Sequence, residues 1–139
     1  MKKNIHQFVS NFSRRDAIGE NVIVLQNIFL NMGYDSKVFY HDCSEEVIEY
    51  AIPFEKYHQF SSSENLFIIH YGMKLPLLKP LINLPDIKIL VYHNITPAKF
   101  FERFAPWLVE TFLDSRRELG KLSSHVFAAI GDSTFNTEE

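Results

Sequence analysis

Five short apolar segments recur along the chain, and a polar turn follows each of them. They cover residues 5–9, 36–40, 66–70, 87–92 and 126–130. The segments at 66–70 and 87–92 are largely apolar without strict alternation, which is typical of strands that are covered on both faces. The stretches between the segments have helical period or turn composition. This alternation predicts an α/β fold with a doubly wound parallel sheet of five strands, in the order 3-2-1-4-5, joined by right-handed crossovers.

Two longer helices are predicted from apolar residues spaced three and four positions apart. The first begins after Asp16, a favourable N-cap residue, and ends at Gly33. Its apolar face consists of Ile18, Val22, Leu25, Phe29 and Met32. The second begins at Pro106, and its apolar face consists of Leu108, Phe112, Ser115, Leu119 and Leu122. A short helix is expected over residues 44–51, and the aromatic stretch 53–64 is expected to form a packed loop.

The last residues of the chain have the composition of a helix start. Asn136 is a suitable N-cap, and Glu138 and Glu139 are acids of the kind that favour a first turn. A helix start with no helix behind it is an unusual end for a natural chain. We therefore expect residues 1–139 to be one domain from a longer protein.

Composition and charge narrow the class of protein. Hydrophobic residues make up 46% of the chain and charged residues 22%, as in ordinary folded domains. The net charge of -3 lacks the positive excess that favours a nucleic-acid partner. No apolar run reaches the roughly 18 residues of a membrane span, and no signal-peptide core follows Lys2 and Lys3. Cys43 is the one cysteine, which excludes an internal disulfide and suits a reducing cytoplasm.

Polar clusters follow the predicted strands, at residues 10–16, 70–72, 93–94 and 131–133. The carboxyl ends of parallel strands share one edge of the sheet, where the ligands of open α/β folds bind. A cleft is therefore expected at this edge. The chain contains neither the glycine-rich dinucleotide motif nor the P-loop, and it lacks the acids of a receiver domain and the nucleophile elbow of hydrolases.

Histidines and arginines are the candidates for chemistry at this edge. His93 ends the fourth predicted strand, where an imidazole either binds a sugar hydroxyl or a developing phosphate charge or merely caps the strand. His70 has the same position one strand earlier, and the same two interpretations apply. Arg14 and Arg15 flank a helix N-terminus, so they are either phosphate ligands or solvated arginines on a loop.

Two further clusters have simpler interpretations. Residues 41–43 combine a histidine, an acid and Cys43, but three consecutive side chains in a turn do not converge on one metal ion. Cys43 has no base or cation near it in the sequence and is expected to be an inert thiol. The aromatic residues Phe100, Phe101, Phe104 and Trp107 form either part of the core or an exposed patch that contacts a membrane surface or an acceptor lipid.

Five motifs occur in a fixed order along the chain. They are Asp16-Ala17-Ile18-Gly19, Ile68-Ile69-His70-Tyr71, Leu90-Val91-Tyr92-His93-Asn94-Ile95-Thr96-Pro97, Arg117-Glu118-Leu119 and Asp132-Ser133-Thr134-Phe135-Asn136. In type and order they resemble the N-terminal half of glycosyltransferase family 4 enzymes, and the third motif is the most specific. The resemblance covers nearly the whole chain.

The resemblance implies one half of a GT-B fold, in which two Rossmann-like domains face each other across a cleft. Such enzymes transfer a sugar with retention of configuration, without a metal or other cofactor. Their N-terminal domain binds the acceptor, and their C-terminal domain, which this chain lacks, binds the nucleotide sugar through a pair of glutamates. His93 matches a catalytic position. The acceptor-binding positions are His70, Tyr71, Asn94, Asp132 and Ser133, and the donor phosphate is expected near Arg14, Arg15 and Asp16.

The expected partners are a nucleotide sugar, an acceptor that is a glycan, a lipid-linked sugar or a small molecule, and the missing C-terminal domain. Arg15 stands before Asp16 where the family commonly has glycine, so arginine charge is expected to replace close backbone approach to the diphosphate. The resemblance implies a cytoplasmic enzyme of polysaccharide biosynthesis. It is compatible with a homo-oligomer and with peripheral contact at the inner face of the membrane. The alternative function is a stand-alone α/β module that binds a ligand or partner without catalysis.

Overall fold

A six-stranded parallel sheet is the framework of the computed structural model, which describes residues 3–138. The strands are β1 (Ile5–Phe12), β2 (Val38–Cys43), β3 (Ala51–Pro53), β4 (Leu66–Tyr71), β5 (Ile87–Tyr92) and β6 (Ala128–Gly131). Their order across the sheet is β3-β2-β1-β4-β5-β6, and every neighbouring pair is parallel. The predicted α/β class with a doubly wound, Rossmann-like sheet is confirmed.

The strand count and one strand position differ from the prediction. The edge place beside β2 belongs to the short strand β3, whereas the segment at 66–70, which was predicted there, forms β4 beside β1. β3 has only three residues and ends at Pro53, which is tolerated at a sheet edge but makes the segment resemble a helix end followed by a loop. As a result, the strand order reverses between β1 and β4 and not between β1 and the strand at 87–92.

Among residues 3–138, three α-helices and several 3₁₀ helices lie between strands, and a fourth α-helix follows β6. The α-helices are α1 (Ala17–Asn31), α2 (Leu78–Ile82), α3 (Val109–Ser123) and α4 (Thr134–Glu138). The 3₁₀ helices are Glu45–Tyr50, Phe54–Gln59, Ala98–Phe100 and Pro106–Leu108. The short helix expected over 44–51 is therefore a 3₁₀ helix, and the stretch 53–64 contains another.

The predicted start and end of α1 are confirmed. The carboxylate of Asp16 accepts a hydrogen bond from the backbone N–H of Gly19 at 2.7 Å, so Asp16 is the N-cap. Gly33 follows the helix with a φ of 87°, a left-handed conformation that glycine adopts without a steric penalty. Val22 is buried in the middle of the helix, but Met32 is exposed, so the packed face is shorter than predicted.

Apolar side chains cover the sheet in two clusters. The smaller cluster lies under α1 and contains Val9, Phe12, Val22, Val38 and Val47. The larger cluster contains aromatic residues such as Phe8, Phe39, Tyr57, Phe67 and Tyr71, together with Phe112 and Leu122 of α3. Both faces of the central strands are therefore buried, which explains why β4 has an apolar sequence without alternation.

The aromatic stretch before α3 is divided between core and surface. Phe101 packs against the larger cluster and stacks on Phe112, with ring centroids 4.6 Å apart. Phe100, Phe104 and Trp107 are exposed. Within residues 3–138, no helix has both the length and the apolar content that a membrane crossing requires.

The last described residues form a short helix whose start differs from the prediction. α4 begins at Thr134, so Asn136 lies inside the helix and is not its N-cap. The hydroxyl of Ser133 accepts the backbone N–H of Asn136 at 3.2 Å, which is the contact that the prediction assigned to an asparagine. Glu139, which was expected in the first turn, lies outside the described residues.

Candidate functional site

A cavity opens at the carboxyl edge of the sheet, where β1 and β4 lie side by side. Its volume is about 380 Å³, within the size range of small-molecule sites. The lining residues come from the ends of β1 and β4, the start of α1 and the turn after β5: Val9, Ser10, Asn11, Asp16, Ile18, His70, Gly72, Met73, Lys74, Leu75 and Asn94. The predicted cleft therefore exists at this edge.

The cavity lies where the strand order reverses. The connection through α1 leads from β1 outward to β2, whereas the connection through α2 leads from β4 in the opposite direction to β5. The two connections leave a crevice between β1 and β4, as in other open α/β sheets. In the predicted strand order 3-2-1-4-5, His93 would lie at the switch point, because it ends the fourth strand. Instead, His70 lies at the switch point and His93 lies one strand further along.

A chain of polar side chains crosses four neighbouring strands beside this cavity. In the β1–β4 pairing Gln7 is opposite Ile68, and in the β4–β5 pairing His70 is opposite Val91. His70 and then His93 therefore each lie one strand over and two residues nearer the carboxyl edge, whereas Asp132 follows Gly131, the partner of Tyr92, and is level with His93. Because side chains two residues apart share a face of the sheet, Gln7, His70 and His93 lie on the same face.

Short contacts join these side chains without a gap. Gln7 Oε1 lies 2.8 Å from His70 Nε2, and His70 Nδ1 lies 2.9 Å from His93 Nε2. The two imidazole rings are nearly parallel, with an interplanar angle of 23°. Gln7 Nε2 donates to the backbone oxygen of Val22 in α1 at 3.0 Å. At the other end, His93 Nδ1 lies 3.3 Å from Asp132 Oδ2.

Burial lowers the pKa of both histidines. The pKa of His70 falls to about 3, first because the ring is removed from water and second because His93 lies beside it. Burial also lowers the pKa of His93, although the carboxylates of Asp132 and Asp16 oppose this effect. Both rings are consequently neutral at pH 7. Asp132 is the most accessible member of the chain, with 38% of its side chain exposed.

The backbone around the cavity is tightly packed. A Cβ atom on Gly19 would lie 1.6 Å from the carbonyl oxygen of Ser13, so only glycine lets the β1–α1 loop fold onto the start of the helix. A Cβ on Gly72 would lie 3.2 Å from Ile18, which is closer than most such contacts. Gly19, three residues after Asp16, thus allows the backbone of the β1–α1 loop at Ser13 to approach the first turn of α1 closely.

Asn94 has an unusual backbone conformation. Its φ is 80°, and among the described residues it is the one non-glycine residue with a positive φ. Asparagine tolerates this region better than most residues, but the conformation still has a cost. It turns the chain sharply after His93 and brings Asn94 to the wall of the cavity.

The other three predicted acceptor-binding residues, Tyr71, Asp132 and Ser133, do not line the cavity. Tyr71 is fully buried on the opposite face from His70, and its hydroxyl donates to the backbone oxygen of Ser115 and to Glu118 at 2.7 and 3.1 Å. Because successive side chains of a strand lie on opposite faces, Tyr71 points away from the cavity and is not among its lining residues. The hydroxyl of Ser133 caps α4. Asp132 contacts His93 and also accepts a hydrogen bond from the side-chain amide of Asn136.

The predicted phosphate residues lie on the β2 side of the β1–α1 loop. Arg14 lies over the ring of Tyr50 at 5.5 Å, and Arg15 forms an ion pair with Glu46 at 3.6 Å. Arg15 lines a separate, more open hollow with Glu46 and does not line the cavity described above. Asp16 does line it, but its carboxylate already occupies the N-terminus of α1 as the cap.

Sequence reasoning missed several residues of the site. Gln7 was assigned to the first strand without a role, although a buried glutamine in a strand requires a hydrogen-bonding partner. Lys74 was not considered; it lines the cavity and forms an ion pair with Asp114 at 3.5 Å. Within residues 3–138, no three histidine, cysteine or acidic side chains are grouped closely enough to hold a metal ion.

Comparisons with known proteins do not identify a family. No protein-family model matches the sequence, and neither curated proteins nor solved structures give a significant match. The fold and the cavity define an α/β protein of Rossmann-like architecture with a ligand-sized crevice at its switch point.

Proposed function

We propose that this chain is the acceptor-side domain of a retaining glycosyltransferase and that the cavity between β1 and β4 binds the acceptor sugar. The observation that carries the proposal is the cavity itself. It lies at the strand-order switch, has the volume of a small-molecule site and is bordered by a histidine chain that ends at His93. The motif that contains His93 resembles the glycosyltransferase pattern most closely.

The lining of the cavity suits a hydroxylated ring. Ser10, Asn11 and Asn94 offer hydroxyl and amide groups, which can both donate and accept hydrogen bonds. Ile18 and Leu75 provide apolar surface on the same cavity. A pyranose has the matching character, because its hydroxyls point outward around C–H faces. Charged side chains are few, which favours a neutral sugar ring over a strongly anionic ligand.

Transfer requires a second domain in this proposal. Arg14 and Arg15 are engaged with Tyr50 and Glu46, so a donor diphosphate would have to displace these contacts before the arginines bind it. The donor sugar would therefore depend mainly on groups outside this chain. His93 would support transfer from the acceptor side by stabilising charge that develops between sugar and diphosphate.

Binding is tested by nuclear magnetic resonance of the ¹⁵N-labelled protein. The probes are the methyl glycosides of glucose, galactose, mannose and N-acetylglucosamine, with inositol as a polyhydroxylated control. We expect at least one glycoside to shift the amide signals of residues 10–11, 72–75 and 93–94. If no glycoside shifts these signals, or if the shifts lie on other surfaces, the acceptor-site proposal is wrong.

Activity of the 139 residues alone gives a second test. We expect no transfer from UDP-glucose, GDP-mannose or UDP-N-acetylglucosamine to any glycoside that binds, because the donor is not positioned. The measurement is release of nucleoside diphosphate. Turnover by this chain alone would contradict the two-domain argument. Binding of a glycoside combined with inactivity of a longer natural chain would favour the non-catalytic binding module.

A further inference from the structure

The side-chain amide of Gln7 has only one orientation that fits its surroundings. The backbone oxygen of Val22 accepts hydrogen bonds and cannot donate, so the amide nitrogen of Gln7 must face it at 3.0 Å. The amide oxygen of Gln7 then faces His70 Nε2 at 2.8 Å. Because Gln7 is fully buried, no water competes for either contact.

This orientation determines the proton positions on His70. An oxygen acceptor at 2.8 Å requires a proton on His70 Nε2. His70 is neutral, since burial lowers its pKa to about 3, and a neutral imidazole carries one proton. His70 Nδ1 is therefore a lone pair, and it accepts a hydrogen bond from His93 Nε2 at 2.9 Å.

The same logic determines which nitrogen of His93 exchanges a proton. With Nε2 protonated, neutral His93 presents the lone pair of Nδ1 to the carboxylate of Asp132 at 3.3 Å. Two acceptors then face each other. A proton from solvent that binds Nδ1 removes this conflict and creates an ion pair with Asp132, while Asn136 holds the other carboxylate oxygen.

We propose that Gln7 and His70 are positioning residues for His93: they hold its proton on Nε2 and make Nδ1, beside Asp132, the nitrogen that binds and releases a proton. This role rests on the proposed function, and in that site Gln7 is the anchor of a directed hydrogen-bond chain that runs from α1 to His93. The groups that face His93 are His70 from β4, Asp132 from the turn after β6 and Asp16 from the β1–α1 loop.

The experiment assigns the protonated ring nitrogens of the ¹⁵N-labelled chain by long-range ¹H–¹⁵N correlation spectra across a pH titration. No sugar is added, so the result is independent of whether the cavity binds an acceptor. In the wild-type protein at pH 7 to 8, we expect the protons of both His70 and His93 on Nε2. A proton on Nδ1 of either ring would overturn the proposal.

Gln7→Met removes the anchor while keeping the side-chain length. The chain can then reverse, so that His70 Nδ1 donates to His93 Nε2 and His93 Nδ1 donates to Asp132. We expect neutral His93 to move its proton to Nδ1 and its pKa to fall by about one unit, since the neutral form gains a hydrogen bond. An unchanged tautomer and pKa in the folded variant would overturn the proposal.

Gln26→Met is the matched control. The side-chain amide of Gln26 also donates to a backbone oxygen, that of Ser36 at 3.1 Å, but it has no contact with the histidine chain. We expect this variant to lose stability without a change at His93. If Gln26→Met moves the His93 proton as Gln7→Met does, the effect is nonspecific and the proposal fails. If Gln7→Met does not fold, the proposal is decided by the protonated nitrogens of His70 and His93 in the wild-type protein alone.

Discussion

Two polar networks lie at opposite ends of the same parallel strands, and they differ in how completely the protein satisfies them. At the amino edge, Asp86 precedes β5 and accepts hydrogen bonds from Tyr57, Ser61 and Asn65. At the carboxyl edge, the chain from Gln7 to His93 ends at the partly exposed Asp132. The first network is closed within the protein, whereas the second has an end that solvent or a ligand can reach.

Burial has different consequences in the two networks. Asp86 is 3% exposed, and its oxygens meet four donors, counting the backbone N–H of Ser62 at 3.4 Å. The buried ammonium of Lys88 donates to the backbone oxygens of Leu84 and Asp86. Such a saturated network holds elements together but has no free group for chemistry. The histidine chain keeps a neutral base beside a cavity, which is the combination that a functional site needs.

The largest expected effect is the loss of stability when Asp86, the common acceptor of the amino-edge network, is replaced. Asp86→Ala removes the acceptor of the buried Tyr57 hydroxyl, of the half-buried Ser61 hydroxyl and of one N–H of the buried Asn65 amide, and each unsatisfied group has its own cost. We expect the free energy of unfolding to fall by roughly 3 kcal/mol or more, and the melting temperature by about 10 °C. Thermal unfolding measures the change, with Glu55→Ala at an exposed position as the control. A loss no larger than that of the control would show that Asp86 is not a structural centre.

The second effect is the pH dependence of the free energy of unfolding, which arises from His70 at the carboxyl edge. The pKa of His70 is about 3 in the folded protein and near 6.5 in the unfolded chain. Between these values the unfolded chain binds the extra proton, so stability decreases as the pH falls from 6.5 toward 3. His70 alone is expected to remove roughly 3 kcal/mol by pH 4. The lowered pKa of His6 acts in the same direction.

Chemical unfolding at a series of pH values tests this effect. His70→Asn should have lower stability at pH 8 but a shallower decline toward pH 4. His58→Asn, which replaces an exposed histidine, is the control and should follow the wild-type curve. If His70→Asn shows the same decline as the wild type, the neutral buried state of His70 is wrong.

The smallest effect concerns backbone strain beside the cavity. Asn94 has a φ of 80°, so Asn94→Gly should stabilise the protein by about 0.5 to 1 kcal/mol and Asn94→Ala should destabilise it by about 1 kcal/mol. Asn83 has a φ of -86°, and Asn83→Gly should therefore be slightly destabilising. Denaturant unfolding gives all three values. Equal responses to glycine at the two asparagines would mean that the turn after His93 is unstrained.

The sequence was sufficient to predict the elements that depend on local pattern. The boundaries of β5 agree with the prediction, and Asp16 and Gly33 delimit α1 as expected. The position of β4 next to β1 could not be predicted in the same way, because the predicted strand order and the observed order bury the same apolar strands. β3 has only three residues, too few to show the alternation of a strand, so the sequence did not indicate that this segment occupies the edge beside β2.

The candidate site was predicted only in part. His93, Asn94 and Asp132 were found because they directly follow strands, where polar residues collect. The link between Gln7 and His70 depends on the strand register, and the register became known only with the pairing of β1 and β4. Tyr71 was grouped with His70 because a motif of adjacent residues does not reveal that successive side chains of a strand lie on opposite faces.

The most direct test compares ligand affinity and stability in one variant from each network. The affinity for the strongest of the four methyl glycosides is measured by calorimetry in His93→Ala and Tyr57→Phe, with the melting temperature of each. His93 does not itself line the cavity, but it holds the ring of His70, which does. We therefore expect His93→Ala to lower the affinity about tenfold with a melting temperature within roughly 3 °C of the wild type. Tyr57→Phe should lower the melting temperature by about 5 °C and leave the affinity unchanged. An affinity that does not respond to His93, or that falls equally in Tyr57→Phe, would contradict the assignment of function to the carboxyl edge.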